Sequence, residues 1–183
     1  IATGTFGADT ISRKIYISPA EIEYDVAMTE TFENEEEVGN LVLFNLRGTD
    51  WKLTDKAAKT GTRSFFNPGN SQYTSGFFTH IFNLGYSKEP GRQLSFDIAL
   101  GMSSSGSAAA GLRINWKRPE LFERVDVFGA FEGGLLIHDE VIPPETLKTA
   151  TTNSPFIPNI TQWKTITLPI PDTLTGKIQI GFH

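Results

Sequence analysis

Hydrophobic and polar residues alternate along most of this chain, broken by Gly, Pro, Asn and Ser, and almost no stretch repeats at the helical period. Successive side chains of an extended chain point to opposite faces, so this alternation predicts half-buried strands. The stretch RQLSFDIAL, 92–100, puts Leu94, Phe96, Ile98 and Leu100 on one face and Gln93, Ser95 and Asp97 on the other. GLRINW does the same with Leu112, Ile114 and Trp116, and ERVDVFGAF with Val125, Val127, Gly129 and Phe131. The closing stretch alternates twice, through Ile166, Leu168 and Ile170 and then Ile178, Ile180 and Phe182. Pro171, Asp172 and Gly176 supply turn chemistry between the two runs. Pro169 has no N–H to donate, which puts its end of the strand at a sheet edge. Further strands are predicted at 14–17, 21–27, 40–46, 62–66 and 76–84.

Other stretches break the pattern. MSSSGSAAAG, 102–111, reads as a long hairpin loop or a bulged continuation of a strand. Residues 141–162 hold four of the ten Pro and read as a surface excursion packed by Phe156 and Ile157. Within it PPETLKTA predicts one helical turn with Glu145 near its positive end. The acidic run NEEEVGN, 34–40, reads as a solvated loop. Together these elements predict an all-β fold with little or no helix: an antiparallel β-sandwich, or jelly roll, of the concanavalin or galactose-binding-like kind. A length of 183 residues fits one such domain, 1–183.

Composition narrows the function classes. Fourteen Phe against two Met favour a rigid aromatic interior. A net charge of −5 without a basic stripe argues against nucleic acid as a partner, because that affinity rests on clustered Lys and Arg. The absence of Cys excludes disulfides and thiolate metal sites. No apolar run is long enough to predict a membrane-spanning helix, and no charged-then-apolar leader is visible. The chain starts at Ile1 rather than Met, as expected of a processed or excised piece.

Familiar catalytic patterns are missing. His80, His138 and His183 are scattered rather than one helical turn apart, so a zinc hydrolase is not expected. Neither GTRSFF nor GMSSSG has the glycine-flanked Ser of a nucleophile elbow. FEGGLL and GSAAAG lack the Lys and the following helix of a phosphate cradle. Glu21, Glu23 and Asp25 lie two apart on one strand and so share a face, the register in which sandwich glycosidases build a carboxylate pair. The same residues equally form the wet face opposite Ile22, Tyr24 and Val26. His138, Asp139 and Glu140 are expected to end a strand.

Binding chemistry has more candidates. Sugar rings stack on exposed aromatic faces while amides and carboxylates bond their hydroxyls. Trp51, Tyr73 and Tyr86 are the candidate platforms, and the loop NPGNSQYTSG adds Asn70 and Gln72. Trp116 and Trp163 fall on regular strands and are expected in the core. Asn159-Ile160-Thr161 is a formal glycosylation sequon.

The order of landmarks resembles the MAM-like or cleaved-adhesin (choice-of-anchor J) jelly-roll domains of secreted bacterial proteins. The shared marks are TETFE at 29–33, Trp51 ahead of TGTRSFF at 60–66, the Leu94-Ser95-Phe96 strand, and the closing WKTITL and GKIQIGF. The likeness covers residues 29–183 and implies a jelly-roll core there, with strands in 1–28 completing a sheet edge. It further implies a structural Ca²⁺ held by Glu33, with the segment from Thr60 to Ser64 as a carbonyl source, since a hard cation takes six to eight oxygens. The family continues past its G-x-F strand, whereas this chain stops at His183. That difference leads to the expectation of an open edge beside the last strand, filled by the N-terminal segment or by another chain.

The function expected from all of this is a non-catalytic binding or adhesion module, secreted or on the cell surface, that recognises a polysaccharide or an extracellular protein as part of a larger adhesin or enzyme. The alternatives are an assembly subunit, such as a capsid or fibre protein, pairing through sheet edges, and a sandwich-fold glycoside hydrolase.

Overall fold

The structure is a computed structural model that describes residues 2–4, 7–9, 23–25, 29–35, 38, 41–45, 51–67, 75–85, 90–104, 111–118, 135–152 and 155–183. Its strands are β1 (Ala2–Gly4), β2 (Gly7–Asp9), β3 (Glu23–Asp25), β4 (Val42–Asn45), β5 (Lys52–Thr54), β6 (Ser64–Phe66) and β7 (Ser75–Asn83). They continue with β8 (Gln93–Ile98), β9 (Leu100–Met102), β10 (Leu112–Arg118), β11 (Leu135–Ile142), β12 (Lys148–Thr151), β13 (Lys164–Pro169) and β14 (Lys177–Phe182). A short helix, α1 (Pro144–Leu147), sits between β11 and β12 with Glu145 in its first turn, where the sequence places it. Glu35 and Val38 are helical too, with the Val38 N–H bonded to the Asn34 carbonyl at 3.0 Å, where a loop is expected.

The large sheet runs β11-β10-β14-β7-β3, and β4 also pairs with β7. β4 pairs antiparallel along Ser75–Phe78 and β3 parallel along Ile81–Asn83, so the long strand β7 serves two short neighbours in succession. Facing this sheet are the antiparallel pair β8–β13 and the parallel pair β9–β12. The result is an all-β sandwich of mainly antiparallel sheets, not a closed barrel.

Alternation drives the packing. On β10, Leu112, Ile114 and Trp116 are buried toward the second layer, and on β14 Ile178, Ile180 and Phe182 are buried beside them. From the other side Ile166 is buried, and Leu94, Phe96, Ile98, Leu100 and Leu168 pack against the same core. The rings of Phe96 and Phe182 meet edge to face at 5.4 Å, joining the layers directly. On the outer side of β8–β13, Ser95 bonds Thr167 at 3.2 Å and Thr165 donates to Asp97 at 2.5 Å. Those polar rungs are the predicted wet face.

The closing strand departs from expectation. β14 is paired with β10 on one side and β7 on the other, so it lies inside the large sheet and has no open place beside it. Gly181 explains part of this: a Cβ there would come within 2.6 Å of the Phe78 ring, so only glycine lets Phe78 close over the strand. β3, from the N-terminal segment, extends the sheet at β7 rather than beside β14.

Three smaller differences remain, the first of them set by long-range pairing. Residues 148–151, expected in a surface excursion, form β12 against β9, with the Thr149 hydroxyl accepting the Leu100 N–H at 3.0 Å. Phe156 packs as expected, over Gly101, where a Cβ would stand 2.6 Å from its ring, but Ile157 is exposed. Trp163 precedes β13 and is half-buried rather than core. The predicted strands at 14–17 and 123–131 lie outside the described residues.

Candidate functional site

Three residues singled out in the sequence, Trp51, Glu33 and Thr60, are gathered at one place: the loop 29–35 and the β5–β6 hairpin. The hairpin is short and antiparallel, with Lys52 opposite Phe66, Leu53 opposite Phe65 and Thr54 opposite Ser64. Its inward ring, Phe65, stacks on Phe32 at 5.5 Å and on Trp51 at 5.5 Å. Trp51 and Phe65 each meet Phe77 of β7 edge to face, at 5.1 and 4.9 Å, and Phe77 stacks on Phe182 of β14 at 4.9 Å. Aromatic pairs in these geometries add roughly 0.5–1.5 kcal/mol each beyond their buried area. The hairpin is therefore anchored to the middle of the large sheet by a continuous run of rings.

Above those rings sits Glu33. Its Oε1 accepts the backbone N–H groups of Thr62 and Arg63, both at 2.8 Å, and its Oε2 accepts the Thr62 hydroxyl at 2.6 Å. Gly61 makes the approach feasible: its φ of +69° lies in the left-handed region, and a Cβ there would stand 2.5 Å from Oε1. Phe32, at φ +61°, turns the other strand of the clamp, its N–H bonded to Glu30 Oε1 at 2.6 Å. Arg63 reaches across to Glu35 at 2.6 Å, a pair open to solvent. The hydrogen bonds from the Thr62 hydroxyl and backbone, then the one from the Arg63 backbone, hold the Glu33 carboxyl below the usual carboxylate range.

This donor set does not fit a calcium ion. Calcium needs converging oxygens, whereas hydrogens converge on Glu33, and a guanidinium is bonded alongside. Among the described residues no group of three or more His, Cys, Asp or Glu side chains is placed to hold a metal. Thr60 is exposed one residue before Gly61.

Of the binding candidates, Trp51 is half-buried, with one partner ring stacked on it and another at its edge. Asn70, Gln72, Tyr73 and Tyr86 lie outside the described residues, as does Glu21. Glu23 and Asp25 are both on β3, at register with Ile81 and Asn83. His138, Asp139 and Glu140 are exposed along β11, with His138 Nε2 3.8 Å from Glu140 Oε2.

Sequence reasoning missed the donors of the clamp, Thr62 and Arg63, and the exposed ring of Phe66. The signal available was Gly61 between two threonines, which marks a left-handed turn with hydroxyls at hand. It also missed the second face of the large sheet, where Lys117 and Asn115 are buried, Lys117 Nζ lies 4.4 Å from the centre of the Phe78 ring, and Phe78 meets His183 edge to face. Burial, then the charges of Lys117 and Arg113, lowers the His183 pKa to about 4. Compared with family models, curated proteins and solved structures, the chain matches none.

Proposed function

We propose that this chain is a non-catalytic binding or adhesion module of a larger secreted or surface protein, with carbohydrate as its ligand class. One observation carries the reading: an outward surface of mixed aromatic and polar side chains on a rigidly backed hairpin. Phe66 is 42% exposed opposite the exposed Lys52, and the exposed Thr60 and Thr62 stand at the hairpin's tip. Sugars favour such a combination, a ring to stack on and hydroxyls or amines to bond, with little conformational entropy lost when the platform is preorganised. The segment that follows β6 in the sequence adds Asn70, Gln72 and Tyr73, and we assign the same role to them, to Tyr86 and to the rim of Trp51.

Glycan-array screening and affinity-gel retardation test this directly. Retardation by a polysaccharide, weakened in Phe66→Ala and in Tyr73→Ala with folding unchanged, is the expected result. No retention on any glycan class, together with defined oligomers by light scattering, would instead favour an assembly subunit. Release of reducing ends that is lost in Glu23→Gln or Asp25→Asn would favour a hydrolase.

A further inference from the structure

We propose that Glu33 is an internal anion lock, held by this chain's own hydrogen-bond donors, and that it joins the loop 29–35 to the β5–β6 hairpin without calcium. The resemblance to metal-stabilised jelly rolls makes the same residue a cation ligand, so the two accounts differ on one side chain.

The distances exclude a bridging ion. Oε1 and Oε2 lie 2.6–2.8 Å from the Thr62 and Arg63 donors, which is direct hydrogen-bond contact. An ion between the carboxylate and the hairpin would stand about 2.3–2.6 Å from each oxygen and force the two loops apart. The backbone of Gly61 lies so close that even a methyl group there would collide with Oε1. Charge argues the same way. Two peptide N–H dipoles and a hydroxyl hydrogen point at the carboxylate, and the Arg63 guanidinium, bonded to Glu35, adds a positive neighbour. An arrangement of this kind attracts an anion and repels a second cation. Glu33 supplies that anion from within the chain, 29 residues before Thr62.

The lock and the ion are separable by melting the chelator-treated chain with and without added calcium chloride, for the wild type, Glu33→Gln and Thr62→Val. The lock predicts one wild-type melting temperature in both conditions. Thr62→Val, which removes the hydroxyl donor but keeps the carboxylate, melts about 2–4 °C lower with or without calcium. Glu33→Gln melts lower still, and titration of calcium chloride gives no heat that depends on Glu33. The proposal is overturned if calcium raises the wild-type melting temperature and Glu33→Gln abolishes the rise. Should Glu33→Gln fail to fold, Thr62→Val still decides: an unchanged melting temperature in chelator, with a rise on adding calcium, is the ion's signature.

Discussion

The clamp around Glu33 and the face around Lys117 and His183 hold charge in opposite ways. At the clamp the carboxylate stays in solvent and hydrogens are brought to it. On the second face of the large sheet Lys117 is only 1% exposed and rests over the Phe78 ring, while His183 is kept neutral by burial and by the cations near it. The first arrangement sets a loop and costs little desolvation. The second puts the fold under strain from acid, because a proton on His183 would add a charge beside Lys117 and Arg113 in a place water barely reaches. Polar residues at alternating positions thus need not be wet: Asn115 and Lys117 are buried on that face while Arg113 of the same strand is exposed.

Substitutions can break this contrast at several strengths. The reference is the inner face, where Trp116→Ala empties the core behind β10 and should cost about 3–5 kcal/mol in a denaturant titration. Next comes the pH dependence of the His183 face. The folded pKa, about 4, lies below the ordinary 6.5, so the unfolded chain takes up the proton first as pH falls. The stabilisation is complete above pH 6.5, declines between 6.5 and about 4, and is flat below; at roughly 1.4 kcal/mol per pH unit the full loss is about 3 kcal/mol. His183→Phe should flatten that window, and an unchanged slope would show that another group titrates there. Gly181→Ala forces a methyl group against Phe78 and His183 and should cost about 1–3 kcal/mol.

At the clamp the effects are smaller. Gly61→Ala meets both a left-handed φ and the Glu33 carboxylate, and should cost about 1–2 kcal/mol. Glu35→Gln removes only a solvent-exposed ion pair, and a change beyond about 1 kcal/mol would mean that Arg63 depends on Glu35 to present its N–H to Glu33. Acid should also loosen the clamp, since a carboxyl held below its usual range gives up its stabilisation as pH falls through the folded value. That transition begins at the ordinary 4.5 of a Glu and runs below it, so it overlaps the His183 window only at that window's acid end.

Much of the sandwich was legible as period-two alternation. Leu94, Phe96 and Ile98 face Ile166 and Leu168 across the β8–β13 pair, because each run is self-consistent over several residues. Other parts depend on partners far along the chain. KTAT becomes β12 only because Leu100–Met102 offers it an edge, and nothing local distinguishes Lys117, buried, from Arg113, exposed, on one face of β10. The central place of β14 was hidden for the same reason: alternation specifies which side of a strand is apolar, not how many neighbours it has. At the candidate site, the proximity of Glu33 to the Thr60–Ser64 segment was anticipated from the order of motifs. What Glu33 does there was not, because whether carbonyls or N–H groups point at it depends on backbone angles, and φ at Phe32 and Gly61 is a three-dimensional fact.

The fold depends most heavily on the closing strand lying between β10 and β7. Residue-resolved amide hydrogen exchange measures this, since successive N–H groups of a strand point to opposite neighbours and only an interior strand protects both sets. Consecutive amides along Ile178–Phe182 should exchange as slowly as those of Ile114 and Trp116 on β10. Protection of alternate amides only, with the rest exchanging at loop rates, would place β14 at an edge and contradict the fold described above.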